Sequence, residues 1–543
     1  MRIFLTDFVA AMLALAGASS AEEMVESEVQ RFEQLRDHPV EINTASRSRL
    51  LATGLLSHYQ IASLLDYRSR CGRILSYNEL ALVDGFNADF IENLKPFIRI
   101  GESSGALIRQ RGNSHIVSLQ SSLKDGETGA GLKYESEFGD RLEFNLCSRA
   151  SPGAWDKPTI AANASYYSRS GRLKTIAGDF NARFGQGLLV WSGFSLSGFS
   201  GKSSFKRNAS GMVASTSYSP MFCGIASDYS IGRNIVSAGV SLYRNKAAVA
   251  NWTRVSGKSN FGLSVLAVPG KAPGVSADFS IGRASCCLYG ESAFSGRGIA
   301  ALTGLSATPK YGCSLNALLR YYSDNYISPF SGAARSFTKA SDEIGASLGF
   351  QNSWISATFD ASGKPVKGTE HYKLLLVTSK EFGKTLTFKP EARVSIRYRP
   401  GENIPFKADQ RLDMKVAYGS LYAETRFNLL LYKDSSWLTF AGLGRDGERF
   451  DLSLRAIIFK VDNWDDRISC YERDVPGSFT VPAYYGRGWK LSSFLSWKSP
   501  GGRSSFYTRL SYLTFPWTIP KKDSQFEIRV FYRMRLYSSR QRK

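Results

Sequence analysis

Leu412-Asp413-Met414-Lys415-Val416-Ala417-Tyr418, followed by Leu421-Tyr422-Ala423-Glu424-Thr425-Arg426-Phe427-Asn428-Leu429, is the stretch that decides the fold. Leu412, Met414, Val416 and Tyr418 fall on one face and Asp413 and Lys415 on the other, a period of two that only an extended strand produces. The next run repeats it, with Leu421, Ala423, Thr425, Phe427 and Leu429 against Tyr422, Glu424, Arg426 and Asn428. Strands of about nine to eleven residues are long enough to cross an outer membrane while tilted.

The same alternation recurs in both directions from this point. It is present at Leu132, Tyr134 and Phe138 against Lys133, Glu135 and Glu137, and again at Leu142, Phe144 and Leu146. Val394, Ile396 and Tyr398 alternate with Arg393, Ser395, Arg397 and Arg399. Near the C-terminus Phe526, Ile528, Val530, Tyr532, Met534 and Leu536 face one way and Glu527, Arg529, Arg533 and Arg535 the other. A C-terminal amphipathic strand is what barrel-assembly machinery expects as a partner, and a polar tail, Ser538 to Lys543, follows it. No linker divides residues 101–543, so several soluble sandwiches are disfavoured. Closure into one ring removes every open edge, as a membrane demands. The expectation is a mainly β fold, a large antiparallel transmembrane β-barrel of about 20–26 strands over 101–543, with parity favouring an even number.

Composition agrees. The chain has 543 residues, 43% hydrophobic and 13% aromatic, with 49 Gly and only 18 Pro. Its mean hydropathy is −0.20, and beyond the N-terminus no run of about 18 apolar residues offers a membrane-spanning helix. Residues 1–21 carry Arg2, an apolar stretch from Phe8 to Ala16 and small residues ending at Ala21, the layout of a signal peptide. An acidic lead-in, 22–39, follows. Seven scattered cysteines, including the adjacent Cys286-Cys287, form no CxxC pair, and the four histidines are far apart. No zinc or iron–sulfur site, cofactor or catalytic constellation is expected, and the cysteines are read as small residues of the barrel wall.

Residues 40–100 have a different texture. Ser57 with Gln60 forms a capping box ahead of a helix bearing Ile61, Leu64 and Leu65, which Gly72 ends. Ser76 with Glu79 repeats the device for a third helix, and Asn87 caps a fourth with Phe90, Ile91 and Leu94. Four short helices in two hairpins, with Asn43, Ala45, Tyr67, Arg68, Gly72, Glu79, Leu80, Val83 and Gly85 in register, resemble the all-α helix-hairpin-helix domain of competence-type DNA receptors. That resemblance implies backbone N–H groups at Gly54 and Gly85 turned toward DNA phosphates, with Arg47, Arg49, Arg68, Arg70 and Arg73 as the basic residues beside them. The first hairpin departs from the pattern, reading Gly54-Leu55-Leu56-Ser57. Charge departs as well: residues 22–100 hold nine Lys/Arg against twelve Asp/Glu, no surplus for neutralising phosphates. Docking of a periplasmic protein partner, or plugging of the lumen, therefore stands beside DNA reception.

One barrel segment is unlike a plain strand: Gly178-Asp179-Phe180, then Phe184-Gly185-Gln186-Gly187-Leu188-Leu189-Val190-Trp191 and Gly193-Phe194. Its glycines allow a sharp bend in the wall or a close backbone approach, and Asp179 and Gln186 are placed to hydrogen-bond inside the barrel. This string behind a helix-hairpin-helix resembles large outer-membrane proteins of Bacteroidetes-type bacteria, whose first hairpin is also typically apolar. The resemblance implies a barrel in contact with outer-membrane lipid, with residues 22–100 in the periplasm, and the absence of any catalytic motif beside it makes a non-enzymatic barrel the expectation. It implies no mechanism and no oligomeric state. The barrel holds 59 Lys/Arg against 34 Asp/Glu, which predicts Arg–Glu networks across a wide lumen or a lumen that favours anions.

Overall fold

The computed structural model describes residues 39–43, 45, 50, 53, 55–56, 58–83, 86, 91, 94–100 and 113–538, except 139–140, 169–171, 193–204, 208, 216, 219, 257–258, 284, 310–312, 448, 479–480, 501–502 and 521. The signal-peptide and lead-in readings lie outside these residues.

Twenty-four strands form one closed antiparallel barrel, an even number inside the expected range. The first eight are β1 (Asn113–Lys124), β2 (Glu127–Phe138), β3 (Leu142–Ala150), β4 (Thr159–Tyr167), β5 (Leu173–Arg183), β6 (Phe222–Ile231), β7 (Asn234–Ser241) and β8 (Ala247–Ser256). Then come β9 (Ser259–Ala267), β10 (Gly274–Arg283), β11 (Cys286–Ser295), β12 (Gly298–Ala307), β13 (Ser314–Tyr322), β14 (Glu343–Gln351), β15 (Ile355–Lys364) and β16 (Thr369–Ser379). The last are β17 (Leu386–Tyr398), β18 (Phe406–Tyr418), β19 (Leu421–Leu431), β20 (Ser435–Arg445), β21 (Phe450–Val461), β22 (Gly486–Lys498), β23 (Ser504–Thr514) and β24 (Gln525–Ser538). The amphipathic C-terminal strand closes the ring, pairing with β1 from Glu527 opposite Lys124 to Ser538 opposite Asn113.

The side-chain distribution is the inverse of a water-soluble fold. On β13, Leu315, Leu319 and Tyr321 are exposed while Asn316 and Arg320 are buried. On β9, Phe261, Leu263 and Val265 face outward and Ser264 inward. An apolar outer belt on a ring without edges is what lipid requires, because no water is present there to satisfy an open backbone.

The two ends of the barrel differ. At one end the connections are short, such as 232–233, 352–354 and 419–420; the other end carries 184–221, 323–342 and 462–485. Long connections at one end and tight turns at the other are the usual asymmetry of outer-membrane barrels.

The N-terminal segment has a core of its own, in which Ile42, Leu50, Ile61, Leu64, Leu80, Ile91, Leu94 and Ile98 are buried together. Helix α1 (His58–Cys71) ends before Gly72 at φ +87°, as its sequence predicts. Helix α2 (Tyr77–Leu80) is capped by Ser76, whose hydroxyl accepts from the Glu79 N–H. The expectation of a purely α-helical domain needs correcting. Val40–Glu41 pairs in parallel with Ile98–Arg99, so the two ends of the segment are tied by backbone hydrogen bonds. Among the described residues the segment holds two α-helices and a 3-10 turn, Lys95–Phe97.

Candidate functional site: the lumen and its inserted segments

The glycine-rich segment singled out in the sequence leaves the wall. β5 pairs with β6 from Leu173 to Phe180, but from Phe180 to Arg183 it also pairs with the short strand Gly211–Ala214. The bend lies at Gly178, at φ +103°, where an added Cβ would collide with the Ala162 carbonyl oxygen. A Gly178→Val variant is expected to lose about 1–2 kcal/mol to the backbone conformation alone, with the collision added. Loss of the folded, heat-modifiable band on gel electrophoresis checks this; wild-type migration would show that the bend does not need glycine.

Beyond the bend, Leu188, Leu189 and Val190 are fully buried. Glu291 of β11 accepts hydrogen bonds from the Gln186 N–H at 2.7 Å and the Leu188 N–H at 3.0 Å, bolting the segment to the wall. Gln186 closes a reciprocal pair with the Arg207 backbone, and Asp179 accepts from the Ala162 N–H at 2.7 Å and from Arg244 at 3.1 Å. Both side chains bond as their sequence context suggests. The connection 323–342 packs on the same segment. Tyr326 donates to the Leu188 carbonyl at 2.8 Å, Ser328 to the Leu189 carbonyl at 2.6 Å, and the Trp191 N–H to the Phe330 carbonyl at 2.9 Å.

Arg320 of β13 anchors that second connection. Its guanidinium donates to Glu343 at 2.7 Å, to Ser347 at 2.7 Å and to Ser336 at 2.7 Å, and lies 2.9 Å from Asp360. Gly345 makes room, since an added Cβ would stand 2.5 Å from the Arg320 guanidinium carbon. His371, for which the sequence offers no partner, lies 3.8 Å from Asp360 and 3.4 Å from the Ser362 hydroxyl. Both contacts fall on the same ring nitrogen, Nδ1, so these three side chains do not line up as a nucleophile–base–orienter relay.

A third insert, 462–485, sweeps the opposite arc of the inner wall. Glu472 accepts from Lys490 at 2.8 Å, from Arg509 at 2.5 Å and from the Tyr484 hydroxyl. Asp474 accepts from Arg529 at 2.5 Å, and Gln120 of β1 donates to Ser478 at 2.7 Å. Val475 is buried among Phe494, Tyr507 and Phe531. Burial opposes ionisation of Glu472, yet Lys490 and Arg509 hold its carboxyl below the ordinary range. The expected Arg–Glu networks are therefore present.

All seven cysteines are free thiols, and the reading of them as wall residues needs amending. Cys71 is exposed at the end of α1, Cys313 precedes β13, and Cys470 is buried in the third insert. Among the described residues no group of three or more His, Cys, Asp or Glu is placed to hold a metal.

The residues read from the sequence as a nucleic-acid or partner site are only partly visible. Arg47, Arg49, Gly54 and Gly85 lie outside the described residues, as does the side chain of Arg70. Arg68 turns inward, half-buried, and donates to the Ala45 carbonyl at 2.8 Å. Burial lowers its pKa from the usual arginine value. Arg73 is exposed beyond α1. Asn43, in register with the resembled motif, clamps the chain by donating to the Ile74 carbonyl and accepting from the Ile74 N–H, each at 2.8 Å. What the sequence does not reveal is the inserts: their anchors, Glu291, Arg320 and Glu472, look like any polar strand or loop residue until the pairing is known.

The closed even-numbered ring, its apolar belt and its charged interior are those of an outer-membrane β-barrel. No family model matches the sequence, and no curated protein matches it. Among solved structures the chain is similar to Pseudomonas aeruginosa OccK5 (OpdH), at 8% identity and a TM-score of 0.33, covering 79% of this chain and 98% of that one. It is also similar to the translocation pore of the P pilus usher PapC, at 10% identity and a TM-score of 0.39, covering 78% and 99%. A chain of the E. coli P pilus tip assembly intermediate PapC-PapD-PapK-PapG matches at 9% identity and a TM-score of 0.47, covering 81% and 64%. These likenesses concern the barrel shape alone.

Proposed function

We propose that the chain is a non-enzymatic outer-membrane barrel whose residues 40–100 form a periplasmic helix-hairpin-helix module that docks a protein partner. The observation that carries this reading is the use of Arg68. Its half-buried guanidinium uses one of its donors on the Ala45 carbonyl inside the module, which holds it against the module rather than extended from its surface toward a phosphate backbone. Leu75 and Leu82, on either side of α2, are instead 78% and 75% exposed. Exposed leucines beside a short helix suit an apolar protein contact better than a nucleic-acid backbone. Three of the barrel's own connections are already bonded to the inner wall, so the module is not required as a plug.

DNA reception is the second reading, favoured by the motif register of residues 43–85. The two separate in two measurements on the full chain, one in lipid nanodiscs and one in cells. Anisotropy of a labelled duplex is expected to stay flat at low and physiological salt, while a photo-crosslinker in place of Leu75 or Leu82 captures one discrete adduct in cells that is absent at Trp155. Salt-sensitive duplex binding that disappears with Arg73→Ala would reverse the preference.

A further inference from the structure

One arc of the inner wall is covered by the inserts only in part: Phe337 of the second insert lies 5.9 Å from the His371 ring, and Lys407 meets the Asp465 carbonyl of the third. Along β16–β18 the inward side chains stay partly accessible, with Arg397 20% and Arg411 21% exposed, as is Arg529 on β24 at 21%, whereas Arg320 and Arg509 are sealed at 0% and 1%. The register of this arc is unusual. Lys373 stands directly opposite Arg397, which stands opposite Lys407. Arg393 stands opposite Arg411, and Lys389 opposite Lys415. These are three rungs of facing like charges, spaced about 13 Å apart along the strands. Like charges directly opposite one another across a sheet destabilise it, so each rung needs a counter-charge.

The wall supplies only part of it. Arg411 pairs with Glu391 and Asp413, both at 2.7 Å, Arg397 with Glu402 at 3.3 Å, and Lys407 donates to the Asp465 carbonyl at 2.7 Å. Lys373, Lys389 and Arg393 have no ion pair or hydrogen bond to any described residue. Asp360 and Asp409 act on Lys373, and Asp409 and Glu391 on Arg393, without a direct ion pair, so the repulsion is only partly cancelled on a partly accessible face.

We propose that this arc is a binding lane for small polyanions, solutes carrying several phosphate or carboxylate groups, which enter the lumen and bridge the basic rungs. Arginine's forked donors match such oxyanions in pairs, and Asp409 between the first two rungs and Glu391 with Asp413 between the second and third keep the rungs separate, favouring a ligand whose charges sit at its ends or that lies across one rung. The inference is independent of what residues 40–100 do.

Binding of tripolyphosphate and, in a second arm, of citrate to the full chain in zwitterionic detergent tests it by titration calorimetry. Wild-type protein is expected to bind at low ionic strength, more weakly as salt rises. The double variant Lys373→Gln/Arg393→Gln is expected to bind roughly ten- to hundred-fold more weakly, and Lys157→Gln on an exposed connection to bind as wild type. Because the double variant also relieves repulsion, its thermal midpoint without ligand should rise, which guards against a folding artefact; Arg393→Gln alone is the fallback. Preference for one of the two anions identifies the oxyanion type. No binding of either by wild type, or undiminished binding by the double variant, overturns the proposal.

Discussion

Arg320→Ala is expected to destabilise the barrel by about 3–5 kcal/mol, because it removes one partner of a buried ionic cluster and leaves the others charged. Glu343 and Asp360 both face the guanidinium, at 2.7 and 2.9 Å, and none of the three side chains is more than 3% exposed. With the cation gone, two carboxylates would share a dry site and repel each other. Ser336, which donates to Asp360 and receives from Arg320, would also lose its place, and with it the tie between the 323–342 insert and the wall. The triple variant Arg320→Met/Glu343→Gln/Asp360→Asn is expected to recover most of the loss, since replacing a whole buried ion set by neutral groups of similar volume is often harmless. Guanidinium unfolding in lipid vesicles decides the matter. A single variant with the wild-type midpoint would sink the argument, and a triple variant no better than the single one would show that side-chain volume rather than charge holds the insert.

How much of this was legible beforehand follows from which interactions are local. The strands at 412–418 and 421–429 announce themselves because the inside and outside of a barrel wall impose a period of two on consecutive residues, and nothing distant changes that. The end of α1 at Gly72 and the Ser76 cap were equally readable, being set within one turn of chain. Gly178 was visible as a break in the wall but not as an exit from it: the direction of the bend depends on Gly211–Ala214, more than thirty residues later. Arg320 is the extreme case. Its sequence, alternating with Leu319 and Tyr321, says only that it points inward; that it meets Ser336, Glu343 and Asp360 is a fact of register and of a folded-back connection. The basic rungs are likewise invisible until Arg393 and Arg411 are known to stand opposite each other. The parallel tie between Val40 and Ile98 joins the two ends of the N-terminal segment, a non-local pairing that helix periodicity does not encode.

Glu472→Gln is expected to release the 462–485 insert and to raise the labelling rate of Cys470 by a soluble maleimide about a hundred-fold or more, the change that several kcal/mol in an opening equilibrium produces. Glu472 is the one acceptor shared by Lys490, Arg509 and the Tyr484 hydroxyl. Without its charge, Lys490 loses its carboxylate and Arg509 keeps only Asp474 and Glu527, at 3.4 and 3.2 Å. Cys470 is a native reporter: it lies in the same insert, is fully buried, and packs among Ile457, Phe459 and Ile468. Cys147, buried in β3 away from the insert, serves as the internal control and should not change. The pH dependence has a definite sign. The folded-state carboxyl of Glu472 is held below its ordinary value, so its contribution is complete above the unfolded value of about 4.3 and is lost only as pH falls through the lower folded one. The wild-type insert should therefore stay latched at pH 5 and yield to pepsin cleavage within 462–485 only below about pH 4, whereas Glu472→Gln should be accessible to trypsin already at neutral pH. Equal protection of Cys470 in variant and wild type would mean that the apolar contacts of Val475 and Ile468, not the ionic latch, keep the segment inside.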